Sequence, residues 1–326
     1  MSHTLATKTF YLFLLLLGAS FAVSKAQPAN FDEFSLYNGG KHWDGWSQVT
    51  RIFAFGASYT ATGFNWKNGV QPSAGNPLGN PSSYKGHTAT NGPNFVMYLT
   101  TKYNKSPIQT YDFAVSGSPV PGMVRQVEKE FVPYYTGKGK LNPGWTPSQT
   151  LFAIFVGIND LDSWSKGISH RDDVFKQYSG AIDSLYSAGA RNFVIYTVPP
   201  LDRAPEFISR QMAKRTAIDD YNGRIADMLK TLSAKYSDAT FWKLNMYAIF
   251  QQVLDDPSQF PQTKDILDTS TNCAYYAHHW LKLPSMDYKD PSCKYPVNQY
   301  AWLNGRHVTY PLHDLLAKIT VDALEA

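Results

Sequence analysis

The sequence is poor in charge and in cysteine, and after residue 26 it has no apolar run long enough to span a membrane. Charged side chains make up 17% of the 326 residues, and the net charge of +4 is spread along the chain. A nucleic-acid-binding protein would show clustered lysines and arginines, so that class is excluded. A transmembrane helix needs about 20 consecutive apolar residues, so stable membrane insertion is excluded as well.

The first 26 residues have the pattern of a secretory signal peptide. Lys8 lies in a short polar segment, residues 10–22 are apolar, and residues 24–26 place small side chains at the positions a signal peptidase reads. A membrane anchor is the alternative, but the apolar run is too short for it. We predict cleavage before Gln27, a secreted extracellular protein, and a single mature domain of residues 27–326.

The two cysteines, Cys273 and Cys293, form an even pair in a chain predicted to be exported. This predicts a disulfide, with two buried thiols as the alternative. The sequence Asn104-Lys105-Ser106 is an acceptor site for N-glycosylation.

The histidines do not form a metal-binding pattern. His278 and His279 are adjacent, whereas ligand pairs on helices stand four residues apart. His313 lies within a helical pattern, where we expect a packed residue and not a second base. We therefore predict neither a metal ion nor another cofactor.

Apolar runs alternate with amphipathic segments along the chain. Runs that are apolar throughout are typical of strands buried on both faces of a parallel sheet. We predict strands within residues 51–56, 108–117, 150–160, 192–200 and 240–247, and helices within residues 172–190, 205–237 and 311–326. This alternation predicts an α/β fold with a doubly wound sheet.

A long loop is predicted for residues 65–93, which are rich in Gly, Pro, Asn and Ser. Loops of this length in compact domains often serve function. Trp66, at the start of this loop, is a candidate for stacking on a sugar ring, with packing as the alternative. Trp43 and Trp46 precede the first predicted strand and are expected to pack in the core or to cover it.

Residues suited to acyl transfer follow the predicted strand ends. Ser58 follows the first strand, Gly117 ends the second, Asn159 lies at the end of the third, and His307 precedes the last helix. Ligands of open α/β sheets bind beyond the carboxyl ends of strands. A serine nucleophile needs a base, and an oxyanion needs N–H donors. A simple turn serine is the alternative for Ser58, and the lack of a G-x-S-x-G motif argues against the α/β-hydrolase fold.

These four blocks, in this order, resemble those of the SGNH (GDSL-type) hydrolases. Ser58, Gly117, Asn159 and His307 match the residues that name the family's blocks. The segment "FGASYTATG" is similar to F-G-D-S-Y-T-D-T-G, "TNGPNFVMYL" to the segment before the second block, and "CKYPVNQYAWLNGRH" to C-x-x-P-x-x-Y-x-F-W-D-x-x-H. Within the family, the chain looks most like the fungal acetyl esterases of carbohydrate esterase family 16.

The resemblance implies a flavodoxin-like three-layer sandwich with a central, mostly parallel sheet. It also implies metal-free hydrolysis of acetyl or other short-chain esters on plant-wall sugars. Ser58 would be the nucleophile and His307 the base. The Ser58 and Gly117 N–H groups and the Asn159 amide would form the oxyanion hole.

Two positions depart from the family pattern. Ala57 replaces the aspartate beside the nucleophile, and Asn304 replaces the aspartate that is the third member of the triad. In serine proteases, the same Asp-to-Asn change costs about 10⁴ in kcat. Asn304 can orient His307 through its side-chain oxygen but supplies no charge. Asp160 and Asp162 are two acids that could substitute.

The sequence thus predicts a secreted serine esterase, weakened by the loss of the triad aspartate, that acts as a monomer on an acetylated oligosaccharide or another small ester. The alternative is a catalytically impaired member of the family that binds carbohydrate. A lipase is a third reading, weakened by the lack of a clear apolar lid segment.

Overall fold

The computed structural model describes residues 33–165, 170–212 and 214–326. The predicted signal peptide lies outside these residues. The strands of the described part are β1 (Phe34–Tyr37), β2 (Arg51–Gly56), β3 (Gln109–Asp112), β4 (Thr150–Phe155), β5 (Asn192–Tyr196) and β6 (Thr240–Leu244).

Helices connect the strands. The α-helices are α1 (Phe95–Thr101), α2 (Val120–Arg125), α3 (Val132–Tyr135), α4 (Ile158–Ser165), α5 (Arg171–Ser187), α6 (Pro205–Ser209), α7 (Arg215–Lys235), α8 (Met246–Asp255), α9 (Ala274–His279) and α10 (Tyr310–Glu325). A π-helical segment, Gln126–Phe131, joins α2 to α3. Single 3₁₀ turns cover Trp46–Gln48, Pro147–Gln149, Leu201–Arg203, Pro257–Gln259, Trp280–Lys282 and Val297–Gln299.

The strands form one sheet in the order β1-β6-β5-β4-β2-β3. All neighbours are parallel except β1, which pairs antiparallel with β6. The five parallel strands have the flavodoxin-like order, in which the connections change direction between β2 and β4. Ligand sites of such sheets lie at the carboxyl ends beside this switch point, where β2 leads to Ser58 and β4 leads to Asn159.

A ladder of aromatic rings holds the register of the parallel strands. One ring from each strand lies in line, and successive centroids are 5.0 to 5.7 Å apart. The rings are those of Tyr111, Phe53, Phe152, Phe193 and Phe241. Cross-strand aromatic pairs of this kind stabilise a sheet, and a one-residue slip would break all of them.

Helices cover both faces of the sheet, which confirms the predicted fold class. Helices α1, α8 and α10 pack together on one side, and α2, α4, α5 and α7 on the other. Within the described ranges, no helix is both long and apolar enough to cross a membrane.

Several elements differ from the sequence-based expectation. The segment predicted as one helix over residues 205–237 is two helices, α6 and α7, separated by a turn in which Gln211 has a positive φ of 51°. The amphipathic pattern did not reveal the turn between α6 and α7, because polar residues are common both on helix surfaces and in turns. Strand β1, the helices between residues 95 and 135, and helices α4, α8 and α9 were not predicted. The predicted stripe of α7 is confirmed, since Ile218, Tyr221, Ile225, Met228 and Leu232 are all buried.

A disulfide joins Cys273 to Cys293, with Cα atoms 5.7 Å apart. The predicted pairing is therefore confirmed. It closes the segment around a small second core that contains Tyr276, Val297 and Leu303. This segment leads directly into the loop that carries His307.

Removing this disulfide is expected to destabilise the fold. Because the bond closes a loop of about 20 residues, a Cys273→Ser, Cys293→Ser double variant should lose about 3 kcal/mol of unfolding free energy. Urea denaturation measures the loss, and reduced wild type should match the double variant. Equal midpoints for oxidised wild type and the double variant would contradict the expectation.

Candidate active site

Strand β2 ends in a turn that only glycine permits. Gly56 has φ of +147°, and a Cβ there would lie 2.0 Å from the carbonyl oxygen of Phe155. The Ala57 carbonyl then accepts hydrogen bonds from the N–H groups of Thr60 and Ala61, at 3.0 and 2.9 Å. Ser58 therefore stands at the strand end in the first turn of a short helical bend, partly open to solvent.

Asn94 fixes this turn from the helix behind it. Its side chain is fully buried and caps α1 by accepting the Met97 N–H at 3.1 Å. Its amide nitrogen donates to the carbonyls of Thr60 and Ala61. Asn94 belongs to the "TNGPN" stretch that supported the family resemblance.

His307 lies against Ser58 although the two residues are 249 positions apart. The distance from Ser58 Oγ to His307 Nε2 is 2.7 Å, and that from His307 Nδ1 to Asn304 Oδ1 is 3.0 Å. Asn304 Oδ1 also accepts the backbone N–H groups of Arg306 and His307, at 3.1 and 3.0 Å. The structure thus brings together the three residues predicted as nucleophile, base and orienting group.

The backbone contacts of Asn304 determine the tautomer of His307. Two N–H donors face one atom of the Asn304 amide, so that atom must be the oxygen. It can then interact with His307 Nδ1 only if Nδ1 carries the proton. His307 Nε2 is left as the acceptor for the Ser58 hydroxyl, which is the arrangement a general base requires.

His307 is held in its neutral form. Burial, followed by the positive charge of Arg306, lowers its pKa to about 4, and the negative charge of Glu206 opposes this only partly. A neutral imidazole can accept the Ser58 proton at neutral pH. The protonated form, which must develop during acyl transfer, has a neutral amide and not a carboxylate at Nδ1 to stabilise it.

The His307 loop is fastened to α6 by an ion pair. Arg306 donates from Nε and Nη2 to the two carboxylate oxygens of Glu206, at 2.8 and 2.6 Å. These contacts with Arg306, together with Arg210, lower the pKa of Glu206 to about 2. The Glu206 N–H donates to the Gly305 carbonyl at 2.9 Å. Sequence reasoning missed this pair because its members are 100 residues apart.

Tyr59 ties the nucleophile turn to the same loop. Its hydroxyl donates to the Arg306 carbonyl at 2.8 Å, and its ring centroid lies 5.6 Å from that of His307. Only 2% of Tyr59 is exposed. In the sequence, the only sign of a role for Tyr59 is that it follows Ser58. Its place in the sequence does not reveal where its side chain points.

A Tyr59→Phe variant is expected to lower kcat by about 3- to 10-fold with little change in KM, because the hydrogen bond to the Arg306 carbonyl that positions His307 is lost. Steady-state hydrolysis of p-nitrophenyl acetate measures both constants. Tyr135→Phe is the control, since Tyr135 is also buried and donates to Gln71 at 2.8 Å. Equal losses in both variants would show that Tyr59 has no special role.

The predicted oxyanion donors lie on the neighbouring strand ends. Asn159 Nδ2 donates one hydrogen to the Ser118 carbonyl at 3.1 Å, which orients the amide and leaves its second hydrogen for a ligand. Gly117 is exposed, with φ of +83°, a conformation that favours glycine. The backbone N–H of Val120 donates to the Asp160 carboxylate at 3.0 Å. The loop with Gly117 is therefore anchored to α4 at Ser118 and at Val120.

Asp160 does not replace the missing triad carboxylate. It is buried, which raises its pKa to about 6, and its oxygens accept the Val120 N–H. The hydrogen bond to Glu206 raises the pKa of Arg306, and the charge of Asp162 adds to this effect. His307 Nδ1 is instead hydrogen-bonded to Asn304.

Ala57 lines a small cavity beside the nucleophile. The other walls are Ser58, Tyr59 and the segment from Phe155 to Ile158. The family aspartate would bring a carboxylate to this point, whereas the methyl group of Ala57 leaves it apolar.

The tryptophans have different environments. Trp46 is buried and donates to the Tyr103 carbonyl at 2.8 Å, and Trp43 packs edge-on against Trp242, so the expected packing of both is confirmed. Trp66 is half-buried, with its ring 4.7 Å from that of Tyr134. Its stacking on a sugar stays a prediction.

Other predicted residues lie away from Ser58. His313 is buried and its Nδ1 accepts the Phe95 N–H at 3.3 Å, which confirms a packed residue. Asn104 is exposed, as a glycosylation site requires, and its occupancy stays a prediction. Within the described ranges, no three His, Cys, Asp or Glu side chains are placed to hold a metal ion.

A strand-end serine hydrogen-bonded to a histidine, with amide donors on adjacent strand ends, defines an acyl-hydrolase type of site. The family described as GDSL-like Lipase/Acylhydrolase matches residues 52–279. An acetylesterase of Thermothelomyces thermophilus is 31% identical over 229 residues, which cover 64% of this chain and 74% of that protein. The thermolabile hemolysin of Vibrio parahaemolyticus is 26% identical over 224 residues, 65% of this chain and 49% of that protein.

A solved structure of a GDSL-like lipase from Bacteroides thetaiotaomicron is similar over 85% of this chain and 88% of that chain, with 13% identity and a TM-score of 0.41. The chain belongs to the GDSL-like lipase and acylhydrolase family, on the strength of the match to residues 52–279 and the acetylesterase relative. It is a carboxylic ester hydrolase, and the resemblance predicted from the sequence is confirmed.

Proposed function

We propose that the protein is a secreted esterase that removes acetyl or other short acyl groups from plant-wall carbohydrates, with Ser58 as nucleophile. The observation that carries the proposal is the 2.7 Å contact between Ser58 Oγ and His307 Nε2 at the switch point of the sheet. The similarity to a fungal acetylesterase supports an acetyl or other short acyl group in the substrate.

The contacts suggest the following sequence of steps. His307 Nε2 takes the proton of Ser58 as Oγ attacks the ester carbonyl. The N–H groups of Ser58 and Gly117 and the free Asn159 hydrogen stabilise the oxyanion. His307 then protonates the departing sugar oxygen, which leaves an acetyl group on Ser58. A water molecule, deprotonated by His307, releases acetate and restores the serine.

We propose further that this reaction is slower than in a relative with a carboxylate at position 304. Asn304 keeps the correct tautomer but cannot offset the charge that His307 acquires when it is protonated. Non-catalytic carbohydrate binding is the second candidate function. It rests on Asn304 and Ala57, which stand where the family has aspartates.

Acetate release from acetylated xylo-oligosaccharides tests the proposed function. The purified protein should release acetate, and Ser58→Ala should not. Ser47→Ala, an exposed serine on a 3₁₀ turn, is the matched control and should behave as wild type. Sugar binding in calorimetry without any acetate release would favour the second candidate. Hydrolysis of long-chain esters in preference to acetate esters would contradict the proposal that the acyl group is short.

Secretion has a separate test. Expression of the full chain in a secreting eukaryotic host should deliver a protein that begins at Gln27 to the medium, as read by mass spectrometry of its N-terminal peptide. Retention of residues 1–26 on cell-associated protein would contradict it.

A further inference from the structure

Gln126 occupies the gap where the sheet opens at the active site. Strands β2 and β3 pair up to Ala54 and Asp112, and beyond that point the chain leaves β3 to form the loop with Gly117. On that side the Gly56 carbonyl accepts the Val115 N–H at 3.2 Å, and the Gly56 N–H faces a side chain in place of a strand. The Gln126 side chain, which is 1% exposed, lies there instead.

The amide of Gln126 pairs with Gly56 as a neighbouring strand would. The Gly56 N–H donates to Gln126 Oε1 at 2.9 Å, and Gln126 Nε2 donates to the Gly56 carbonyl, also at 2.9 Å. Because one atom must accept and the other must donate, the orientation of the amide is determined. The Gln126 side chain is thus held rigidly against Gly56, which lies two residues before the nucleophile Ser58.

The second hydrogen of the Gln126 amide contacts the loop that carries Gly117. Gln126 Nε2 lies 3.3 Å from Ser118 Oγ. The carbonyl of the same Ser118 accepts the hydrogen bond that orients Asn159, and Gly117 is the residue before it. One buried side chain therefore contacts both the strand that leads to Ser58 and the loop that carries Gly117.

The local backbone places Gln126 at the start of the π-helical segment Gln126–Phe131. π-Helical segments are rare overall, but those that do occur are often found at functional sites. Sequence reasoning had no signal for Gln126, since the residue types around it do not indicate a π-helix.

We propose that Gln126 is a positioning residue that sets the distance between Ser58 and the oxyanion donors Gly117 and Asn159. The proposal rests on the proposed function, in which Ser58 is the nucleophile. Gln126 does not touch the reacting atoms. Its effect passes through Gly56 on one side and Ser118 on the other, so its loss should weaken transition-state binding more than substrate binding.

The test compares Gln126→Met, Ser118→Ala and the double variant with wild type. Methionine keeps the volume and removes both hydrogen-bonding atoms. Gln126→Met is expected to lower kcat for p-nitrophenyl acetate by about 10- to 30-fold, less than the 10²- to 10³-fold loss of an oxyanion donor itself, with KM within about twofold. Ser118→Ala, which removes one contact, should lower kcat by about 3- to 5-fold.

Inhibition by phenylboronic acid distinguishes positioning from a merely structural role. Its boron bonds to Ser58 Oγ, the serine proton passes to His307, and the tetrahedral adduct places a hydroxyl near the oxyanion donors. The inhibition constant should rise by the same factor as kcat falls. Gln252→Met is the control, since Gln252 is a buried glutamine on α8 and should change neither constant.

The double variant tests the path through Ser118. If Gln126 acts through Ser118 Oγ, removal of that oxygen adds nothing once Gln126 is gone, so the double variant should match Gln126→Met. The proposal is overturned if Gln126→Met lowers the thermal midpoint but leaves kcat and the inhibition constant within twofold. If Gln126→Met does not fold, an unchanged Ser118→Ala overturns it. Failure of the proposed function is visible separately, as a wild type no faster than Ser58→Ala.

Discussion

An Asn304→Asp variant is expected to hydrolyse esters about 10²-fold faster than wild type. A carboxylate at this position would accept the same three N–H groups that Asn304 Oδ1 accepts now, so the loop need not move. It would add a negative charge beside the imidazolium that forms when His307 takes the serine proton. A paired charge raises a pKa by 1 to 3 units, and each unit is about tenfold in rate.

The expected gain is smaller than the roughly 10⁴-fold loss caused by the same exchange in serine proteases. There, much of the loss comes from a histidine held in the wrong tautomer. Here the backbone N–H groups of Arg306 and His307 turn the Asn304 oxygen toward Nδ1, so the correct tautomer is already present. Only the missing charge remains to be restored.

The pH dependence of kcat/KM gives the second readout for Asn304→Asp. His307 acts as a base only when neutral, so wild-type activity should fall as the pH drops through about 4. The added carboxylate raises the pKa of His307, so the acid limb should move to higher pH. Asn68→Asp adds the same charge on an exposed loop and should change neither rate nor profile.

An unchanged rate for Asn304→Asp, alone and combined with Ala57→Asp, would contradict the proposed chemistry. That result, together with sugar binding, would favour the carbohydrate-binding candidate. A faster enzyme with an unshifted acid limb would show that the gain does not come through His307.

The single variants Ser58→Ala and His307→Ala are each expected to lower kcat by about 10⁴-fold or more. The two side chains act as one unit across their 2.7 Å contact, so the double variant should be no slower than either single variant. Single-turnover kinetics with p-nitrophenyl acetate measure the acylation rate. Labelling with an organophosphate, followed by peptide mass spectrometry, identifies the nucleophile.

Thermal denaturation is the control for these variants, since Ser58 and His307 are only partly buried and their removal should leave the fold intact. A modified residue other than Ser58, or a tenth or more of the wild-type kcat in Ser58→Ala, would contradict its role as nucleophile.

Much of the fold was predictable because the parallel strands are buried on both faces. Such strands are largely apolar, so β2, β4 and β5 could be located from their apolar runs, and β6 less clearly because Lys243 interrupts it. The edge strand β1 was not predictable, since it is short and only partly buried. The break between α6 and α7 was not predictable either, because it depends on one residue with positive φ and not on a helix-breaking residue type.

The sequence by itself determined which residue types follow the strand ends. A serine, a glycine, an asparagine and a histidine in this order indicated acyl transfer, and Ala57 and Asn304 marked the departures. These signals are local, because each depends on its own strand or loop.

Only the tertiary structure decided how Asn304 and Gln126 work. The side-chain amide of Asn304 is oriented by two backbone N–H groups, and that of Gln126 by the peptide of Gly56, 70 residues away. An amide carries a donor and an acceptor of nearly equal size, so its role depends on the groups that surround it. The fold supplies those groups, and the residue type alone does not reveal them.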